Sequence, residues 1–182
     1  SVIINGCNQE YFNTNNKKKK QLSNPIKLVT HHWSDNYLKG FKIYNEIDKL
    51  NSKEFVLTFI GNYNKNYSPQ NINVLPPCNG HELANEIRKH DIYLTASQNE
   101  PCGMHQLEGM SCGLPLLYCN GSGGIKETCV SGEEFNDIPT LIEKMNKIKN
   151  NYQDYVSKID NFTLSSDRCN KEFLDLIKIL LN

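Results

Sequence analysis

Short apolar runs recur along the chain, separated by longer stretches in which apolar residues fall at helical spacing. Ile26–Thr30, Phe55–Ile60, Ile72–Leu75, Asp91–Ala96 and Leu114–Cys119 are such runs, and each predicts a short buried strand. Between them, Lys39–Leu50 carries Phe41, Tyr44, Ile47 and Leu50 at three-residue steps, the pattern of an amphipathic helix. Gly80–Lys89 puts Leu83, Ala84 and Ile87 on one helical face. Further helices are expected from Gly103 to about Cys112, over Ile125–Val130, and over Pro139–Lys149, Asn151–Asp160 and Ser166–Leu181. The polar stretches 13–25 and 62–70 are expected to be loops, with 120–124 a glycine-rich turn. Pro76-Pro77 stops the third strand.

Strands alternating with helices imply an α/β, Rossmann-like parallel sheet with helices on both faces. Ligands bind such sheets beyond the carboxyl ends of the strands. The loops 31–39, 76–79, 97–103 and 120–124 each follow an expected strand, so they share one edge of the sheet. We divide the chain into a linker and polar loop over 1–25 and a ligand-binding domain with a helical tail over 26–182. The chain opens inside the strand-like Ser1-Val-Ile-Ile-Asn-Gly6 without a methionine, so a piece of a longer polypeptide is expected.

At 182 residues there is material for one domain with a sizeable core. Formal charge is zero and the pI about 6.9, so no global field draws the chain to nucleic acid or to anionic lipid. The run Lys17–Lys20 is read as a solvated loop. Seven cysteines form no C-x-x-C pair and no zinc-type cluster, and most sit in apolar stretches as small hydrophobes. A reducing, cytoplasmic setting is expected, free or at the inner face of a membrane. The sequons at Asn66, Asn120 and Asn161 are read as chance in an Asn-rich chain. No apolar run reaches about eighteen residues, so no transmembrane segment is expected.

The densest chemistry lies in Glu100-Pro-Cys-Gly-Met-His-Gln-Leu-Glu108-Gly-Met110. Two glutamates stand eight positions apart, with a glycine between them at an expected helix start. Carboxylates accept hydrogen bonds from hydroxyls, while unpaired helical N–H groups attract an anion. A nucleotide sugar offers both. The plainer alternative is a pair of solvated surface glutamates. A glycosidase pair is disfavoured, since eight helical residues advance ~12 Å where such carboxylates stand about 5–9.5 Å apart. Gly109-Met-Ser111-Cys-Gly113 fits the G-x-S-x-G nucleophile elbow, but that elbow needs a strand before the serine and a helix is expected there. The first strand is followed by no G-x-G-x-x-G, no Walker lysine motif occurs, and metal ligands at useful spacing are missing.

Thr95-Ala-Ser-Gln-Asn-Glu100-Pro-Cys-Gly103, Leu107-Glu108-Gly-Met110, Cys112-Gly-Leu-Pro115 and Gly123-Gly-Ile-Lys-Glu127 follow one another in that order. Together they resemble the donor site of retaining glycosyltransferases of the GT-B fold, family 4 or glycosyltransferase group 1, over about Ile26–Glu127. Val2–Phe12 is similar to the segment joining the two GT-B domains, with Cys7 and Asn8 where the family often has Val and Asp. The resemblance implies the C-terminal, donor-binding half of a GT-B enzyme. That enzyme transfers a sugar from a UDP- or GDP-sugar to an acceptor hydroxyl with retention, without a metal or other cofactor. An N-terminal domain of the same polypeptide would hold the acceptor, an unspecified glycan, lipid or protein.

The same resemblance carries roles onto named residues. Lys39, in the Lys39-Gly40 element, would neutralise the donor diphosphate, and Glu100 would contact sugar hydroxyls; these two are the catalytic candidates. Backbone amides of Gly103, Met104 and His105 would bind the sugar and distal phosphate, and Glu108 the ribose. Pro77 and Cys78 fall on the nucleobase loop, and Gly123 and Gly124 near the donor. The His105 imidazole itself is read as packing. One departure stands out: many members place an arginine a few residues before the lysine, where this chain has His31, His32, Trp33 and Ser34. Two alternatives stay open, a non-catalytic nucleotide-sugar-binding or scaffold module on this fold, and a serine hydrolase at Ser111.

Overall fold

Residues 2–15, 21–160 and 162–181 are described by the computed structural model; the lysine run 17–20 and Asn161 lie outside them. Among these described residues, fourteen elements follow in chain order. They are β1 (Ile26–His32), a 3-10 turn (Tyr37–Lys39), α1 (Phe41–Leu50), β2 (Phe55–Gly61), β3 (Asn73–Leu75), α2 (Gly80–Ile87) and β4 (Ile92–Thr95). Then come α3 (His105–Ser111), β5 (Leu116–Cys119), α4 (Ile125–Thr128), β6 (Gly132–Phe135), α5 (Ile138–Asn150), α6 (Tyr152–Ile159) and α7 (Ser166–Leu181).

The six strands form one parallel sheet in the order β3-β2-β1-β4-β5-β6. From β1 the chain winds outward through β2 and β3, then returns to lay β4 on the other side of β1. The crevice at this reversal is where a doubly wound sheet takes ligands. Neighbouring residues of one strand point to opposite faces. Leu28 thus joins a core with Phe41, Tyr44 and Ile47 of α1 and Leu141 and Met145 of α5. Val29 joins a second core with Leu83 and Ile87 of α2 and Leu107 and Met110 of α3. Both sheet faces are therefore covered.

Strand β6 was not expected. Gly132-Glu-Glu-Phe135 offers one buried apolar side chain, so hydrophobic pattern cannot reveal it. It pairs in register with β5, from Leu116 with Gly132 to Cys119 with Phe135. Its glutamates are held from outside the sheet: Glu133 accepts from the Tyr155 hydroxyl and pairs with Lys147 at 2.8 Å. Charged side chains suit an edge strand, whose free rim invites unwanted pairing.

Residues 2–15 run across the second core. The Cys7 amide donates to Leu164 (3.0 Å), the Ser166 amide donates to Cys7 (2.9 Å), and Phe12 is buried. A Cβ at Gly6 would come within 2.0 Å of the Ser165 carbonyl oxygen, so glycine is required for this close approach. Among the described residues, no helix is long and apolar enough to cross a membrane.

Candidate functional site

The carboxyl ends of β1 and β4 feed the loops that build the site. After β1, the Asn36 side chain caps the 3-10 turn by accepting from the Leu38 amide at 2.9 Å. Gly40 follows with φ of 97°, and a Cβ there would lie 2.4 Å from the Ala96 Cβ. Glycine therefore lets the turn dock on the end of β4, where the Gln98 amide donates to Leu38 at 2.8 Å. This seats Lys39 with its Nζ in an ion pair with Glu100 Oε2, both side chains mostly buried.

Glu100 is fixed from behind by the turn after β5. The Asn99 amide donates to Gly121 (2.9 Å), the Glu100 amide to Ser122 (3.2 Å), and the Gly124 amide to the Glu100 carbonyl (2.9 Å). Gly123 has φ of 70°, and a Cβ on it would stand 2.8 Å from the Glu100 carbonyl oxygen. Gly123 and Gly124 thus grip the backbone of Glu100, and neither is among the residues lining the neighbouring cavity.

That cavity, of about 290 Å³, opens between Lys39, Glu100, the segment 102–105 and Glu108, with His31 and His32 beneath. The structure brings together six of the residues singled out in the sequence: Lys39, Glu100, Gly103, Met104, His105 and Glu108. Helix α3 starts at His105, two residues later than the sequence pattern placed it. Gln106 explains the delay, because its Nε2 donates to the Gly103 carbonyl at 2.7 Å and holds that peptide outside the helix. The first helical bond runs from the Glu108 amide to Met104 at 3.0 Å, which leaves the amides of His105, Gln106 and Leu107 without helical partners.

The His105 imidazole does not reach outward. It is buried, its Nε2 lies 3.0 Å from Thr95 Oγ1, and burial, then His31 and Lys39, push its pKa well below the ordinary value, so it is neutral. His32 is neutral for the same first reason, followed by His105, His31 and Lys39, and bonds the Tyr44 hydroxyl at 2.9 Å. His31 is the residue that sequence reasoning missed as a partner. Its Nε2 sits 2.7 Å from Glu108 Oε2. The available signal was its place at the end of the first strand, where the family resemblance lacks its arginine.

Pro77 and Cys78 lie on the other side of Trp33. Together with His31 and His32 they line a narrow cleft, and Pro77 continues into a second cavity of about 500 Å³ with Tyr63 and Lys65. Trp33 borders both cavities. Both arginines of the chain are spent elsewhere: Arg88 on the carbonyls of Tyr11 and Asn13, Arg168 on Glu172 and the Ile4 carbonyl. Among the described residues, Lys39 is the lone lysine or arginine bordering the smaller cavity.

Ser111 closes α3, buried, with its hydroxyl donating to the Phe12 carbonyl at 2.5 Å. A helix, not a strand, precedes it, so the nucleophile elbow is not formed. An active-site serine probe is expected to leave Ser111 unlabelled, while Ser111→Ala lowers stability in urea by about 1 kcal/mol. Stoichiometric labelling would restore the hydrolase.

Known proteins share the family and the fold. The family described as glycosyl transferases group 1 matches residues 15–163. A segment of 80 residues is 28% identical to D-inositol 3-phosphate glycosyltransferase of Streptosporangium roseum, covering 40% of this chain and 18% of that protein. Sucrose-phosphate synthase of Thermosynechococcus elongatus superposes over 100% of this chain and 52% of its own, with TM-score 0.77 and 15% identity. Anabaena HepE, determined with UDP and glucose, superposes over 98% and 56%, with TM-score 0.74 and 16% identity. A C-terminal domain of a glycosyl transferase group 1 family protein (LpcC) from Francisella tularensis superposes over 92% of this chain and 98% of its own, with TM-score 0.60 and 12% identity. The chain spans about half the length of the two larger solved proteins. Since the matched segment takes in well over half of its residues, the chain belongs to the glycosyl transferases group 1 family.

Proposed function

We propose that this chain is the donor-binding half of a retaining, family 4 glycosyltransferase that moves a sugar from a UDP- or GDP-sugar to an acceptor hydroxyl. One observation carries the reading: a paired lysine and two carboxylates converge on a single cavity at the reversal of the strand order. Lys39 faces the diphosphate, whose negative charge grows as the bond between sugar carbon and phosphate oxygen breaks; a fixed cation there lowers the barrier. Glu100, oriented by Lys39 and by the backbone grip of Gly123 and Gly124, accepts from sugar hydroxyls. The backbone from Gly103 to His105 takes the sugar and distal phosphate, Glu108 the ribose, and the loop at Pro77 and Cys78 the base. Retention is supported by the likeness of the segment 95–127 to family 4.

Because the chain spans about half of its larger solved relatives, the acceptor wall belongs to another domain, joined through residues 1–25. No metal or further cofactor enters this scheme, and the cytoplasm is where its donor would be met. In calorimetry, UDP or GDP and the matching sugar nucleotide are expected to bind, and Glu108→Ala to weaken binding about tenfold through loss of charged hydrogen bonds. A folded protein that binds neither nucleotide refutes the reading.

A second reading has its own observation. Both arginines are committed away from the cavity, so a module that binds nucleotide sugar without turning it over also fits. Donor consumption by the full-length polypeptide separates the two: binding without turnover supports the module.

A further inference from the structure

We infer that His31 is a positioning residue for Glu108, and that Tyr93 holds its ring in the orientation through which it acts. The inference rests on the reading above, in which Glu108 accepts from the two ribose hydroxyls.

His31 is 3% exposed and stands between two side chains from different elements. Its Nδ1 lies 2.9 Å from the Tyr93 hydroxyl of β4, and its Nε2 lies 2.7 Å from Glu108 Oε2 of α3. The His31 backbone N–H donates to the same Tyr93 oxygen at 3.3 Å. A carboxylate oxygen accepts, so the hydrogen of this short contact sits on His31 Nε2. Nδ1 faces the Tyr93 hydroxyl, which can donate to it or accept from it, and either way both ring nitrogens are held.

The consequence falls on Glu108. Its side chain is 19% exposed at the cavity wall, and its Oε1 has no hydrogen-bond partner among the described residues. One oxygen is anchored and the other is left for a ligand. A glutamate that is free to rotate would have to be ordered at each binding event; here that ordering is already in place. Two vicinal hydroxyls need a carboxylate in one fixed plane, and the anchor supplies it. With only 3% of its surface exposed and both ring nitrogens engaged, His31 is placed to act through Glu108.

The test compares UDP and GDP with their 2′,3′-dideoxy forms, which lack the hydroxyls. The native protein is expected to bind the ribonucleotide about tenfold more tightly than its dideoxy form. Tyr93→Phe and His31→Gln are expected to reduce that ratio to about two, with dideoxynucleotide affinity unchanged. A merely structural role would weaken both nucleotides in parallel, and that result, or an undiminished ratio, overturns the inference. Tyr93→Phe keeps the ring that packs against Gly109, so it decides the matter if His31→Gln does not fold. Equal native affinities would remove the role of Glu108 and the inference with it. No native binding of either form would refute the proposed function instead.

Discussion

Lys39→Ala is expected to weaken binding of a nucleoside diphosphate about a hundred-fold. In the native cavity one lysine stands beside two carboxylates, and it is ion-paired with Glu100. An arriving diphosphate adds negative charge, so Lys39 is the group that makes the site tolerable to it. Truncating the lysine removes a charged hydrogen bond to phosphate, worth about 1.5–3 kcal/mol. It also strands the mostly buried Glu100 carboxylate against the incoming anion, and losing one partner of a buried pair costs about 2–5 kcal/mol. The two losses overlap, and ~3 kcal/mol corresponds to about two decades in affinity. Glu100→Gln should act in the opposite sense on the bare nucleotide, because it frees Lys39 and deletes a repulsive charge. Calorimetry of the three proteins with UDP and GDP at fixed ionic strength checks both. Unchanged affinity in Lys39→Ala would place the phosphates elsewhere.

How much of this site was legible in the sequence depends on what holds each part. Strands β1, β2 and β4 are buried on both faces, so their apolar runs announce them. Helix α1 shows its period because Phe41, Tyr44 and Ile47 all enter one core. Strand β6 is held by backbone pairing to β5 and by Glu133 with Tyr155 and Lys147, none of which leaves a hydrophobic trace. The start of α3 slipped by two residues because a Gln106 side chain holds the Gly103 carbonyl, a tertiary detail that no local pattern encodes.

The chemical residues divide the same way. Lys39, Glu100 and Glu108 carried motif signals, and they share a cavity. The His31–Glu108 contact joins residues 77 positions apart and has no local signature. Gly123 and Gly124 were legible as a turn near the donor, whereas their grip on the Glu100 backbone depends on two loops meeting across the sheet edge. Sequence shows which groups are available near an edge; which of them face a ligand and which hold their neighbours is decided by packing.

Acidification from pH 7 to pH 5.5 is expected to destabilise the domain through His32 and His105. Both imidazoles are buried under the cavity and have pKa values pushed well below the ordinary 6.5, by burial first and then by the neighbouring imidazoles and Lys39. In the unfolded chain each returns to about 6.5. Below that value the unfolded state takes up two protons that the folded state refuses, so stability is present in full above about pH 6.5 and drains away as the pH falls. Each histidine contributes a slope approaching ~1.4 kcal/mol per pH unit once the pH is below 6.5. The carboxylates with depressed values, Glu133 and Asp137, start from 4.5 and 3.8 and so stay out of this window. Urea unfolding at intervals between pH 7 and 5.5 measures the slope. His105→Gln deletes one of the two proton sites and should roughly halve the slope, whatever it does to stability at pH 7. A flat native profile would mean that these imidazoles accept protons in place. It would then remove the neutral floor on which Lys39 stands as the sole fixed cation of the cavity.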